Sequence, residues 1–107
     1  MSQLPNNLTC TKVVYYSMND EEVFFWWLEK IKCIERIDAI RYDLYLHLKK
    51  TPPTDEDLQD LIGLFYRYNV DMKQLARFLT PENKAWFYDD KKAFWHKKVF
   101  GSKEGKS

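Results

Sequence analysis

The stretch EEVFFWWLEK places four consecutive aromatic residues, Phe24, Phe25, Trp26 and Trp27, inside a segment that otherwise reads as a helix. Each helical residue advances about 100°, so four in a row reach almost every side of the cylinder. One core covers roughly half of that circumference. A chain with this feature must cover the helix from several directions or leave rings in water. Aromatic residues make up 17% of the sequence, which is high for a globular domain. They also recur in groups: Tyr42 and Tyr45, then Phe65, Tyr66 and Tyr68, then Trp86, Phe87 and Tyr88, then Phe94 and Trp95.

The run from Asn19 to Lys50 is expected to form one long helix, 19–50. Asn19 reads as its N-cap with Glu22 reaching back, and TPP stops it after Lys49 and Lys50. On a wheel Glu29, Lys32, Arg36, Asp43 and His47 fall within about 60° of each other. Asp43 and His47 are then an i,i+4 surface pair. Val23, Trp27, Ile31, Ile34, Ile37, Ile40, Leu44 and Leu48 occupy the remaining arc, as on a helix packed from more than one side. Phe25 is the exception, lying in the middle of the polar stripe.

Thr54 is expected to cap a second helix, 54–68, whose Leu58, Leu61, Ile62 and Phe65 turn inward and whose Gly63 is a close-packing point. Asn69 suits a left-handed corner before a short helix, 71–79, capped by Asp71. Thr80 and Pro81 open a fourth helix, 80–100, bent at Asp89 and Asp90. Residues 1–16 read as an extended arm laid across the helices, with a short strand as the lesser alternative, and 101–107 as a flexible tail. The expected fold is all-α: a compact bundle of about four helices around one long central helix, in a single domain, 1–107.

A length of 107 residues with three glycines and four prolines suits one folded domain. Nothing approaches 18 apolar residues in a row, so no membrane span is expected. The start MSQLPNNLTCTK lacks a basic segment followed by an apolar run, and Cys10 and Cys33 are too few for a disulfide framework. Both features point to a reducing cytoplasm. The net charge of +1 divides into −4 over residues 1–90 and +5 over residues 91–107. Any nucleic-acid footprint is therefore local, in the lysines interleaved with Phe94, Trp95 and Phe100.

No cofactor or metal is expected, because Cys10, Cys33, His47 and His96 lack ligand spacing. Cys33 lies among isoleucines, where burial raises a thiol's pKa, and no phosphate loop or nucleophile turn is present. Catalysis is accordingly not expected. Asp55, Glu56, Asp57 and Asp60 form an acidic run that decorates a helix start, docks a basic partner or holds a metal. The aromatic surplus favours protein recognition, since rings anchor interfaces at low entropic cost. The candidate partner-binding residues are the four acids with Phe25, Tyr66, Tyr68 and Trp86.

In size, composition and character the chain resembles the small helical immunity proteins of bacterial polymorphic and contact-dependent toxin systems. No motif carries that resemblance, so no family residue is transferred. What it implies is a cytoplasmic inhibitor that binds a toxin domain, often a nuclease, and blocks its basic cleft. Nucleic-acid binding through residues 91–107 and self-association, as a homodimer or larger, are the alternatives.

Overall fold

The stretch DLYLHL alternates strictly: Leu44, Leu46 and Leu48 are buried, while Asp43, Tyr45 and His47 are half-exposed. A period of two belongs to a strand with one buried face. The computed structural model describes residues 7–101, and there this stretch is the central strand of an antiparallel sheet. Strand β1 (Asn7–Thr11) and strand β2 (Ile34–Ile40) flank β3 (Asp43–Leu48), in the order β1-β3-β2. The protein is thus mixed α/β, and the expectation of an all-α helical bundle is overturned.

The long helix expected over 19–50 stops at Lys30. Helix α1 spans Met18–Lys30, with Ser17 rather than Asn19 as the cap whose side chain accepts from the Asp20 N–H. Ile31 turns extended, and the chain then enters the β2–β3 hairpin. The isoleucines at 31, 34, 37 and 40 imitate helical spacing. In fact a bulge between Ile34 and Arg36 shifts the register, so that Ile34 and Ile37 face Leu48 and Leu46 on one side of the sheet. β-Branched content and the pairing available to β3 override the helical pattern. The hairpin turns through Arg41 and Tyr42, with Arg41 left-handed at φ 58°. Asp43 and His47 do not pair. The His47 Nε2 instead meets the Asp38 Oδ2 across the hairpin at 2.8 Å, and Arg36 reaches the same oxygen at 3.2 Å. These neighbours hold the Asp38 carboxyl below the usual carboxylate range, Arg36 chiefly.

Within the arm the lesser alternative, a short strand, forms at Asn7–Thr11. Leu8 and Cys10 lie opposite Leu46 and Leu44, extending the buried face of the sheet. The outer edge of β1 is closed by side chains, chiefly that of Gln74. The Thr9 N–H donates to the Gln74 Oε1 at 2.9 Å, and the Gln74 Nε2 donates to the Thr9 carbonyl at 2.8 Å. Arg77 donates to the Asn7 carbonyl beside it.

Helix α2 spans Asp55–Arg67, capped by Thr54. Asn69 is left-handed at φ 59°, and Asp71 caps a 3-10 segment, Met72–Phe78, where the short helix 71–79 is expected. The continuous helix expected over 80–100 does not form. Thr80 and Asn83 exchange side-chain hydrogen bonds with each other's N–H, and the Asn83 Nδ2 donates to the Phe78 carbonyl. Only one helical turn follows, α3 (Lys84–Phe87), and Asp90 then takes the Lys92 N–H into a local turn. A wide π-type turn, Lys97–Gly101, closes the described chain.

One core joins these elements, with Leu8, Phe24, Leu46, Leu58, Leu61, Phe65, Leu75 and Phe87 fully enclosed. Each such side chain contributes about 1.5–3 kcal/mol of transfer free energy. Among the described residues no helix is long and apolar enough to cross a membrane. The first six residues of the arm and the tail at 102–107 lie outside the described residues.

Candidate interaction surface

The four rings of FFWW part company on α1. Phe24 is fully buried, edge-on to Tyr15 at 5.5 Å and to Tyr68 at 4.7 Å. Trp27 lies against Gly63, where an added Cβ would stand 3.3 Å from the indole. Trp26 faces water, with the Lys30 ammonium 5.3 Å from its ring. Phe25, the residue misfit on the wheel, forms part of a cleft wall.

That cleft, about 610 Å³, opens between loop 12–17, α1 and the hairpin turn. Its size is in the range of small-molecule and side-chain pockets. Val13, Tyr15, Phe25 and Leu44 make its apolar walls, and Lys12, Glu21, Arg41 and Tyr42 stand at its margin. Lys12 and Arg41 are both left-handed, at φ 51° and 58°. For non-glycine residues this costs roughly 1–3 kcal/mol each, and such strain gathers at functional sites. The two segments are tied together, because the Lys12 N–H donates to the Tyr42 carbonyl at 3.0 Å. Asp20 fastens the loop from behind: it accepts the Tyr16 N–H with one oxygen and the Tyr68 hydroxyl, at 2.9 Å, with the other. Burial, and then the Glu21 charge, push the Tyr15 phenol up to about 12, so that it stays neutral.

Large apolar groups crowd this end of the molecule. Tyr16 is 90% exposed, Met18 79% and Tyr42 76%, and Val14 and Ile40 are also open to solvent. Val14 and Tyr16 line a second, more polar cleft on the far side of the same loop, with Asp20 and Arg67.

The eight candidate residues are not brought together. Phe25 and Tyr68 lie at the cleft end, Tyr68 almost enclosed. The acids lie in the first half of α2, about 12–20 Å from Tyr68 along the helix. Asp55 and Glu56 are exposed and Asp60 is half-exposed, but Asp57 is buried. Its carboxylate accepts the Thr54 N–H and the Lys32 N–H, both at 3.2 Å, so it serves as a cap and a brace. Tyr66 is exposed, edge-on to Phe94 at 4.6 Å, with Lys98 over its ring. Trp86 is half-buried, and its Nε1 is the one buried side-chain polar atom without a partner among the described residues.

Among the described residues no group of three or more His, Cys, Asp and Glu is placed to hold a metal. Cys10 and Cys33 are buried free thiols, pushed by burial to about 12 and about 11. Lys12, Tyr15, Arg41 and Tyr42 carry no sequence signature of a site. The β-branched and aromatic run TKVVYY holds Lys12 and Tyr15, Tyr42 belongs to the aromatic groups of the sequence, and nothing marks Arg41 as a turn residue. No family model, no curated protein and no solved structure matches this chain.

Proposed function

We propose that this is a protein-binding protein that acts without catalysis, and that it docks through loop 12–17, the start of α1 and the hairpin turn. One observation carries the reading: Val14, Tyr16, Met18, Ile40 and Tyr42 stand open to solvent on loop 12–17, the start of α1 and the end of the hairpin, and Tyr42 borders an apolar-walled cleft. Exposed rings and methionine beside an apolar-walled cleft are the residue types that anchor interfaces. In its most concrete form the protein is a cytoplasmic inhibitor of a toxin domain, one with a basic substrate cleft. In that form Asp55, Glu56 and Asp60 draw the partner in, and the cleft end holds it. Asp57 and Tyr68 keep structural work, since both are enclosed.

Affinity capture from the source cell tests the reading. The natural protein is compared with a Tyr16→Ser/Tyr42→Ser variant whose circular dichroism is unchanged. A partner retained by the first bait and lost by the second supports the surface; equal capture by both removes it. The D55N/E56Q/D60N variant should slow association with that partner severalfold at low salt and little at high salt.

A second reading has its own observation. The exposed Tyr66–Phe94 pair lies beside Lys98, near Lys91, Lys92 and Lys97 in sequence, which is the composition of a platform for single-stranded nucleic acid. Fluorescence titration with a labelled oligonucleotide decides it. Salt-sensitive binding that falls when Lys91, Lys92, Lys97 and Lys98 are neutralised would favour this reading over protein docking.

A further inference from the structure

The two edges of the sheet are treated differently. Gln74 occupies the outer N–H and C=O of Thr9 on β1, as described above. No hydrogen bond to the outer edge of β2 exists among the described residues: positions 35–40 make backbone bonds only to β3. An edge left in this state is a template for another strand. Proteins that avoid such pairing place charges on the edge, and β2 has them, in Arg36 and Asp38. Their arrangement, however, is self-complementary. In the sequence IERIDAI, Ile37 is flanked by Arg36 on one side and Asp38 on the other, with Ile34 and Ile40 three positions out.

We propose that β2 is the interface of a symmetric dimer, in which a second copy adds its own β2 antiparallel to make a six-stranded sheet. The charge pattern selects one register. With Ile37 opposite Ile37 of the second copy, each Arg36 faces an Asp38 and each Asp38 faces an Arg36. Sliding by two residues one way sets Arg36 opposite Arg36, and sliding the other way sets Asp38 opposite Asp38. Directly opposed like charges destabilise a cross-strand pair, whereas opposite charges stabilise it. Slides by an odd number are excluded on other grounds, because they bring outward-pointing backbone groups against inward-pointing ones. The arrangement is isologous, as the commonest dimers are. Arg36 and Asp38 are already 3.2 Å apart within one copy, on the open face of the sheet, so both are in place to be shared across the seam. The seam shares Ile40 with the docking end, but the open edge and the charge pattern behind it are separate from the observations at the cleft.

Charge exchange tests the register. R36D alone opposes acid to acid twice in the dimer, and D38R alone opposes base to base twice. Sedimentation velocity across a concentration series should show a dimer for the natural chain, and a dissociation constant raised at least tenfold for each variant. Mixed in equal amounts, the two variants should form a heterodimer, because both of its cross-strand pairs are then opposite in charge. The R36D/D38R double variant should likewise regain the dimer. Circular dichroism and thermal melting establish that each chain is folded. A natural chain that stays monomeric to the millimolar range overturns the proposal. So does a dimer that the single exchanges leave unchanged, or a pair of variants that fails to associate on mixing.

Discussion

Two aromatic regions of this chain look alike in sequence and differ in space. The first comprises Tyr15, Tyr16, the FFWW run and Tyr42; the second comprises Trp86, Phe87, Tyr88, Trp95 and Phe100. In the second the rings turn on one another. Phe87 is fully buried, 5.6 Å from Trp95 and 4.9 Å from Phe100, while Tyr88 is edge-on to Phe100 at 5.0 Å. In the first, Phe24 anchors a similar cluster, yet Tyr16, Trp26 and Tyr42 remain in water. An abundance of rings therefore says little by itself. Where loops double back, as after Tyr88, aromatics cover each other; where a helix and a hairpin turn end side by side, the outer ones have no neighbour.

The largest effects should strike both regions equally. Phe24→Ala and Phe87→Ala each remove a fully buried ring and should cost about 3–5 kcal/mol in urea unfolding. A loss below about 1 kcal/mol for Phe87→Ala would mean that the second cluster is loosely held, and the contrast between the regions would fail. Asp57→Ala comes next. It removes a cap and the acceptor for the Lys32 N–H, for an expected loss of about 1–2 kcal/mol. Asp55→Asn, two residues away and exposed, should stay within about 0.5 kcal/mol.

Alkaline titration probes the first region and the strand beside it. Tyr15 and Cys10 both have folded-state values near 12, raised by burial from 10.0 and 9.0. The unfolded chain loses these protons first, so the stability they confer is complete below about pH 9 and declines as pH climbs towards 12. A melting temperature that stays level to pH 11 would contradict the burial of these groups. The smallest changes belong to two tryptophans. Trp26→Ala should leave stability within about 0.5 kcal/mol. Trp86→Phe removes a buried N–H without an acceptor, so it should be neutral or stabilising by up to about 1 kcal/mol.

Legibility in the sequence followed the range of the interactions. The start of α2 is written locally, in Thr54 and the acids after it, and so are the Asn69 corner and the Asp71 cap. The hairpin is not. Its turn residues, Arg41 and Tyr42, carry none of the glycine or asparagine that advertises a left-handed position. The isoleucine spacing of β2 fits a helix until the bulge at Glu35 is known. The alternation in DLYLHL was visible, but six residues cannot outweigh a helical pattern running through them unless the pairing partner is known as well. For the surface, the misfit of Phe25 on the wheel is a local signal, and Phe25 lines the cleft. The acids were legible as a group, but the use of Asp57 as a brace depends on Lys32, 25 residues distant in the chain.

Gln74 has a consequence for how far assembly can proceed. Its side-chain amide imitates a peptide group and occupies the place that a fourth strand would take beside Thr9. A molecule with two bare edges can add copies without limit and grow into a fibril; with one edge stoppered, association at the other ends at two. In the proposed dimer Gln74, with Arg77 beside it, would be a chain terminator for the sheet, and Gln74→Ala should turn a finite assembly into one that scatters light on standing.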